Sequence, residues 1–223
     1  MLHRLIWRGL LLIAALSVVA IAAAAPAVEQ NPLSRAEALQ AIEQGSVGER
    51  RAAVERLAVL GTMPDADQLV ARLADEDAQV RLLTEAALWQ IWSRSGEPAI
   101  DALYWRGMQQ MQGGQLADAL ATFSDIIRRK PEFAEGWNKR ATILYMLGEY
   151  HLSLQDCDEV MKRNRHHFGA LSGYGQIYLA LGDFVRARQF FQRALEVNPN
   201  MHGAAQAIEW LEQQIERQQR KTI

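Results

Sequence analysis

The sequence predicts an all-α chain in which helical hairpins stack into a repeat solenoid. Three observations lead there. Between Asp101 and Asn200 the chain repeats itself: with Gly114, Gly148 and Gly182 in register, the step is 34 residues, a period that belongs to helix-turn-helix repeats. The same step superposes Leu116, Tyr150 and Phe184, then Ala119, Ser153 and Ala187, then Phe123, Cys157 and Phe191, and finally Pro131, Arg165 and Pro199. Elsewhere apolar residues recur three and four apart, and no stretch alternates over the length of a useful strand.

At 223 residues and 49% hydrophobic content, the chain is long enough to bury a sizeable core in one or two domains. Arg4 and Arg8 precede an apolar run from Gly9 to Ile21 and an alanine-rich stretch ending at Ala27. Basic, then apolar, then small is the layout of a secretory signal peptide, and the run is short against the roughly 20 residues of a bilayer span. Residues 1–27 are therefore expected to be a signal peptide that exports the chain to a bacterial periplasm, the mature terminus lying between Ala25 and Val28. The alternative is an uncleaved segment that anchors the chain in the inner membrane, facing the periplasm. No cysteine lies nearby, which disfavours a lipid-anchored precursor.

Val28 to Leu33 reads as a linker. Ser34, followed three residues later by Glu37, forms a capping box that opens a helix. A second helix is expected over Val47 to Leu60, with Ala53, Leu57 and Leu60 on one face and Gly61 and Pro64 as the stop. Asp65–Ala74 and Gln79–Ser93 make a further hairpin around Asp75-Glu76-Asp77. The pieces Arg50–Leu60 and Arg81–Ile91 resemble one another at an offset of 31, and an acidic turn precedes Val80-Arg81. On those residues the region 34–96 is similar to the HEAT family of helical repeats; an unrelated helical cap is the other reading. Ser95-Gly96-Glu97-Pro98 is the one strong break, with Pro98 suited to the first turn of the next helix. So short a linker predicts that the two halves abut in one continuous solenoid.

In residues 100–200 each first helix ends in a glycine turn, and a second helix follows with its apolar residues on one face, such as Phe184, Ala187, Phe191, Ala194 and Leu195. Pro131 and Pro199 close two of these second helices. A single hairpin cannot bury its own apolar face, so neighbours must stack, and Trp137, Tyr150, Phe184 and Phe191 are expected inside the stack. This pattern resembles three units of the tetratricopeptide repeat family, which implies a right-handed solenoid. Unit two is the least regular, with Arg165 where proline is usual and Cys157 where an aromatic is usual. Residues 201–220 are expected to form a capping helix, with Ala205, Ile208, Leu211 and Ile215 toward the array.

Against 26 acidic residues stand 24 basic ones, a net charge of −2 that becomes −4 once Arg4 and Arg8 are removed, which does not suggest a nucleic-acid partner. Cys157 is the only cysteine, cannot form an internal disulfide and reads as a small buried hydrophobe. Ser172 lacks the glycine two residues before it, and the preceding strand, of a nucleophile elbow. Gly173 and Gly175 read as close-packing positions on a helix. His166, His167 and His202 have no cysteine or paired carboxylate at ligand spacing. No catalytic residue, metal, cofactor or small-molecule substrate is therefore expected.

What remains is the concave face. The resemblance implies that four positions of each first helix point into it. They are Asp101, Tyr104, Met108 and Met111 in unit one, Glu135, Asn138, Thr142 and Tyr145 in unit two, and Gly169, Ser172, Gln176 and Leu179 in unit three. Tyr104 and Tyr145 are expected to grip a segment whose bulky side chain lodges beside the open third unit. The family subtype that clamps a peptide carboxyl terminus needs Lys, Asn and Arg at positions where this chain has Tyr104, Met108, Lys139, Gly169 and Gly173, so that clamp is absent. The leading expectation is an exported, non-enzymatic interaction module that binds a protein segment in this groove. The rival is a membrane-anchored assembly factor acting through its convex face or by self-association.

Overall fold

The computed structural model describes residues 32–221, so the expected signal segment lies outside the described residues. Among the described residues there are eleven α-helices and no strand. The first four are α1 (Arg35–Gln44), α2 (Val47–Leu60), α3 (Ala66–Ala71, between the short 3-10 turns Met63–Asp65 and Arg72–Ala74) and α4 (Ala78–Trp92). The Ser34–Glu37 capping box is present at the start of α1, and α2 opens on a second one, Ser46 with Glu49. The 31-residue similarity has a structural meaning: Arg50 donates to the carbonyl of Gly45 at 3.1 Å and Arg81 to that of Asp75 at 2.9 Å. Each guanidinium ties down the loop before its own helix. On α2 the buried face is Ala53, Val54 and Leu57, and Leu60 is only half-buried.

The repeats follow as α5 (Pro98–Gln112), α6 (Leu116–Arg129), α7 (Ala134–Met146), α8 (Tyr150–Arg163), α9 (Phe168–Ala180) and α10 (Phe184–Val197), capped by α11 (His202–Lys221). Gly114, Gly148 and Gly182 have φ of 74°, 79° and 77°, the left-handed region that closes a helix at little cost only for glycine. The residue after each donates back to the preceding helix: Gln115 to Gln110, Glu149 to Leu144 and Asp183 to Tyr178, at 2.8–2.9 Å.

Within each hairpin one contact sets how closely the helices approach. A Cβ on Gly107 would lie 2.7 Å from the Phe123 ring, and one on Gly175 would lie 2.7 Å from the Phe191 ring. The equivalents in unit two are Ala141 and Cys157, both buried. The pair changes together: glycine faces phenylalanine, and alanine faces the smaller cysteine. Phe191 is buried as expected. Tyr150 and Phe184 are half-buried, each against another aromatic at 5.7 Å, Tyr145 and Trp210 respectively. Trp137 is half-buried too, against Ala134, Val160 and Ala170. Its Nε1 donates to the Pro131 carbonyl at 2.9 Å, and the guanidiniums of Arg140 and Arg163 lie over its ring.

The two halves do not continue one another end to end as expected. Instead α4 reaches back along the amino-terminal ends of the first helices. Near its carboxyl end, Ser93 is 3.2 Å from the Tyr104 hydroxyl of α5. Trp89 packs edge-on against His167 and Phe168 at the start of α9 and carries Lys139 of α7 over its ring. Further back, Glu85 accepts from Asn198 at 3.1 Å, and Arg81 donates to Asn200 at 3.0 Å, in the loop before α11. Phe168, at 1% exposure, belongs to the core of the first four helices. Arg165 pairs with Asp67 of α3 at 2.9 Å.

At the centre of this contact lies a buried polar group. His167 is fully buried and stacked on Trp92 with ring centroids 4.7 Å apart. Its Nδ1 accepts from the Ala170 N–H at 3.0 Å, so its proton sits on Nε2, which donates to Glu135 at 2.5 Å. Lys139 is 3.3 Å from the same carboxylate, and Asn138 donates to it. Burial alone would raise the pKa of Glu135, but Lys139, His167 and Asn138 together hold it down to about 2.

Two outcomes follow for stability. On α9, Gly175→Ala is expected to destabilise the fold by about 1–3 kcal/mol, because the new Cβ meets the packed Phe191 ring. Gly173→Ala, whose Cβ would find only Cys157 Sγ at 3.8 Å, should stabilise it by about 0.5–1 kcal/mol. Urea midpoints of equal sign would contradict the register. A carboxyl with a depressed folded pKa stabilises above its unfolded value and loses that contribution as pH falls toward the folded one. Part of the stability should therefore disappear between about pH 4.5 and about pH 2. Glu135→Gln should flatten that limb and cost about 3–5 kcal/mol at pH 7, since Lys139 is left without its partner; denaturation at pH 7 and pH 3 measures both.

Candidate functional site

The residues expected in the groove divide into two sets. Asn138, Thr142 and Tyr145 of α7 meet Gly169, Gly173 and Gln176 of α9 around a cavity of about 50 Å³. Its inner wall is Ala141, Cys157 and Ile177, all buried. The cavity exists because of what unit two and unit three lack. Cys157 stands where the other units have phenylalanine, and Gly169 and Gly173 present no side chain from α9. A void of this size admits the end of a short aliphatic side chain and not an aromatic ring.

The rim is polar and uncharged. The Thr142 hydroxyl donates to the Asn138 carbonyl at 3.0 Å, and the Asn138 amide is turned inward to Glu135. Gln176 is exposed, and Tyr145 is half-buried beside Tyr150. Burial, followed by the neighbouring Asp156 and Asp158, pushes the Cys157 thiol up to about 12. The thiol is therefore a protonated, apolar part of the wall and not a nucleophile.

The other expected groove residues do not reach this cavity. Tyr104 is 2% exposed, its ring against Trp105, Phe123 and Phe133 and its hydroxyl toward Ser93. It cannot grip a bound segment, which corrects the sequence expectation. Glu135 is likewise withdrawn into the contact with His167, whose ring Trp92 of α4 stacks on. Asp101 accepts from the Ser95 N–H at 2.7 Å and secures the turn before α5. Met108 and Met111 are half-buried against the core of the first hairpin, and Leu179 packs toward α10 and α11. Ser172 is half-exposed outside the cavity. Two of the three histidines have structural partners: His166 faces Asp67 at 3.2 Å and His167 faces Glu135.

Two tryptophans escaped the sequence reading. Trp105, 58% exposed, and Trp89 line a wide cleft with Gln90, Ser93 and Arg94. Trp89 also lies where a Cβ on Gly169 would be, 2.5 Å from its Cη2. It is thus a wall shared by the cleft and the end of the groove. The signal was available for Trp105, which falls in the 34-residue register on Lys139 and Gly173, a position facing outward from the hairpin core.

Comparison with known proteins supports this architecture. Residues 106–160 and 168–201 each match a model described as tetratricopeptide repeat. A TPR repeat-containing protein of Rhizobium etli is 29% identical over 152 residues, covering 67% of this chain and 74% of that protein. The human DnaJ homolog subfamily C member 3 is 28% identical over 94 residues, 42% of this chain and 19% of that protein. Among solved structures, the first TPR of Spaghetti (RPAP3) bound to the HSP90 peptide SRMEEVD is similar, with TM-score 0.51, 22% identity and coverage of 52% of this chain and 92% of that one. The Sgt2 TPR domain from Aspergillus fumigatus is similar at TM-score 0.53, with 17% identity and coverage of 56% and 83%. From the 34-residue register, the paired helices that it sets and the two matched segments, residues 106–160 and 168–201 are tetratricopeptide repeats.

Proposed function

We propose that the chain is an exported, non-enzymatic interaction module that holds a segment of another protein along its concave face. The observation that carries this reading is the cavity between α7 and α9, open to the groove and bounded by Tyr145, Gly173 and Gln176. A side chain of the partner enters it, and the exposed Gln176 meets the partner backbone. The RPAP3 domain of similar fold holds a peptide, which supports a peptide ligand here as well. The mode differs, because Gly169 and Gly173 occupy two of the carboxylate-clamp positions and Lys139 is committed to Glu135. Residues 34–96, read as HEAT-like, close one end of the groove through Trp89.

Capture from an envelope extract, followed by mass spectrometry, tests this. Tyr145→Ala and Gly173→Leu should each weaken retention of the principal partner by about 1–3 kcal/mol with the fold intact. The convex change Glu196→Lys should do much less. If instead Glu196→Lys abolishes capture and the groove variants retain it, the assembly-factor reading takes over. Export is tested separately by sequencing the amino terminus of the protein recovered from its host. The expected terminus lies between Ala25 and Val28, and an intact Met1 in the membrane fraction would mean an anchor.

A further inference from the structure

Three of the four groove positions on each first helix are free of charge in a chain that is 22% charged; the remaining one holds Asp101 and Glu135, both engaged inside the protein. Asn138, Thr142 and Tyr145 mark three groove positions on α7, and their equivalents on α5 are Tyr104, Met108 and Met111. On α9 the same positions are Ser172, Gln176 and Leu179, and on α11 the row continues as Gln206, Trp210 and Gln213. No charged residue occurs in these twelve places, where the overall composition would put about two or three. The position following each row is uncharged too: Gln112, Met146, Ala180 and Gln214. Most of these side chains are at least partly exposed, Met146 at 55% and Trp210 at 46%. Burial therefore does not explain why they lack charge.

Three charged groups beside the α5 and α7 rows are already engaged, and on α11 the exposed Arg217 lies one turn beyond Gln213. Lys139 pairs with Glu135 at 3.3 Å. Arg94 donates to the carbonyls of Ala58 and Gly61 at 2.6 and 2.8 Å. Asp101 accepts from Ser95. A carboxylate or ammonium laid along this surface would lose water and find no opposite charge, a cost that uncharged groups escape. Amides, by contrast, can satisfy a partner's backbone N–H and C=O groups, and methionine and tryptophan adapt to apolar side chains.

We infer that the occupant of the groove is an uncharged, extended polypeptide segment of another protein, recognised through its backbone and one short aliphatic side chain, without ion pairs. This rests on the groove reading proposed above. Charge complementarity selects the occupant: the acidic peptide SRMEEVD, held by the RPAP3 domain, would meet no cation at these twelve positions.

A displayed library of random heptapeptides, panned on the full chain and in parallel on Gly173→Leu, tests it. The variant fills the cavity from a helical position where the first added carbon has room, and circular dichroism verifies its fold; Tyr145→Ala serves as a second groove variant. Peptides retained by the native chain and lost on both variants should be depleted at least about three-fold in Asp, Glu, Lys and Arg against the input library. The affinity of a synthetic representative should change less than about two-fold between about 50 and about 500 mM salt. Groove-dependent peptides enriched in charge, with affinity falling about ten-fold or more over that range, would overturn the inference and leave the groove reading standing. Retention unaffected by either variant overturns both. So does a dimer in sedimentation that Gly173→Leu dissociates, since the groove is then filled by a second copy.

Discussion

His167 uses both ring nitrogens inside the protein, one accepting from the α9 backbone and one donating to Glu135 on α7. That single ring fixes the start of α9 against the start of α7, and Trp92 of α4 lies flat on it. Glu135 can be buried as an anion only because His167, Lys139 and Asn138 meet it together. The cavity between α7 and α9 opens within the same pair of helices, directly beyond this contact. Its dimensions thus depend on a polar cluster whose members have no place in the apolar repeat pattern.

Much of the architecture was legible in the sequence because it is local. The glycine turns, the Ser34 capping box, the bounds of α2 and the paired helices of the repeats each follow from residues a few positions apart. The path of α4 was not, because nothing in Arg81, Glu85 or Trp89 announces partners more than seventy residues away in Phe168, Asn198 and Asn200. The same gap explains the groove residues. Register does not show that Tyr104 is enclosed by Phe123 and Phe133, or that Glu135 is drawn to His167 thirty-two residues on. That Asn138, Thr142, Tyr145, Gly169 and Gln176 line one cavity was legible, because they face each other across neighbouring repeats. Trp137 packs on the core as its register suits, but only half-buried, because two guanidiniums also share its ring.

Irregularity within the repeats carries much of what is specific to this chain. Arg165, in place of a proline, reaches Asp67 and helps to hold the first half to the repeats. Cys157, in place of a phenylalanine, is matched by Ala141 where its neighbours have glycine, so the hairpin remains closed on that side. The volume given up by the aromatic ring is not recovered on the side of α9, where Gly169 and Gly173 leave it open. A stack of near-identical units would have no preferred place along its length. Here the departures choose one.

An array of stacked hairpins behaves as a spring. Each unit touches only its neighbours, so small rotations accumulate and the width of the concave side fluctuates. In this protein α4 is secured at intervals along one edge, from Tyr104 through Lys139 and Phe168 to Asn198 and Asn200. A rod fastened to several coils of a spring removes its compliance on that side. If the groove holds a segment as proposed, part of the ordering that binding would impose is completed during folding, and less of the binding energy goes into stiffening the array.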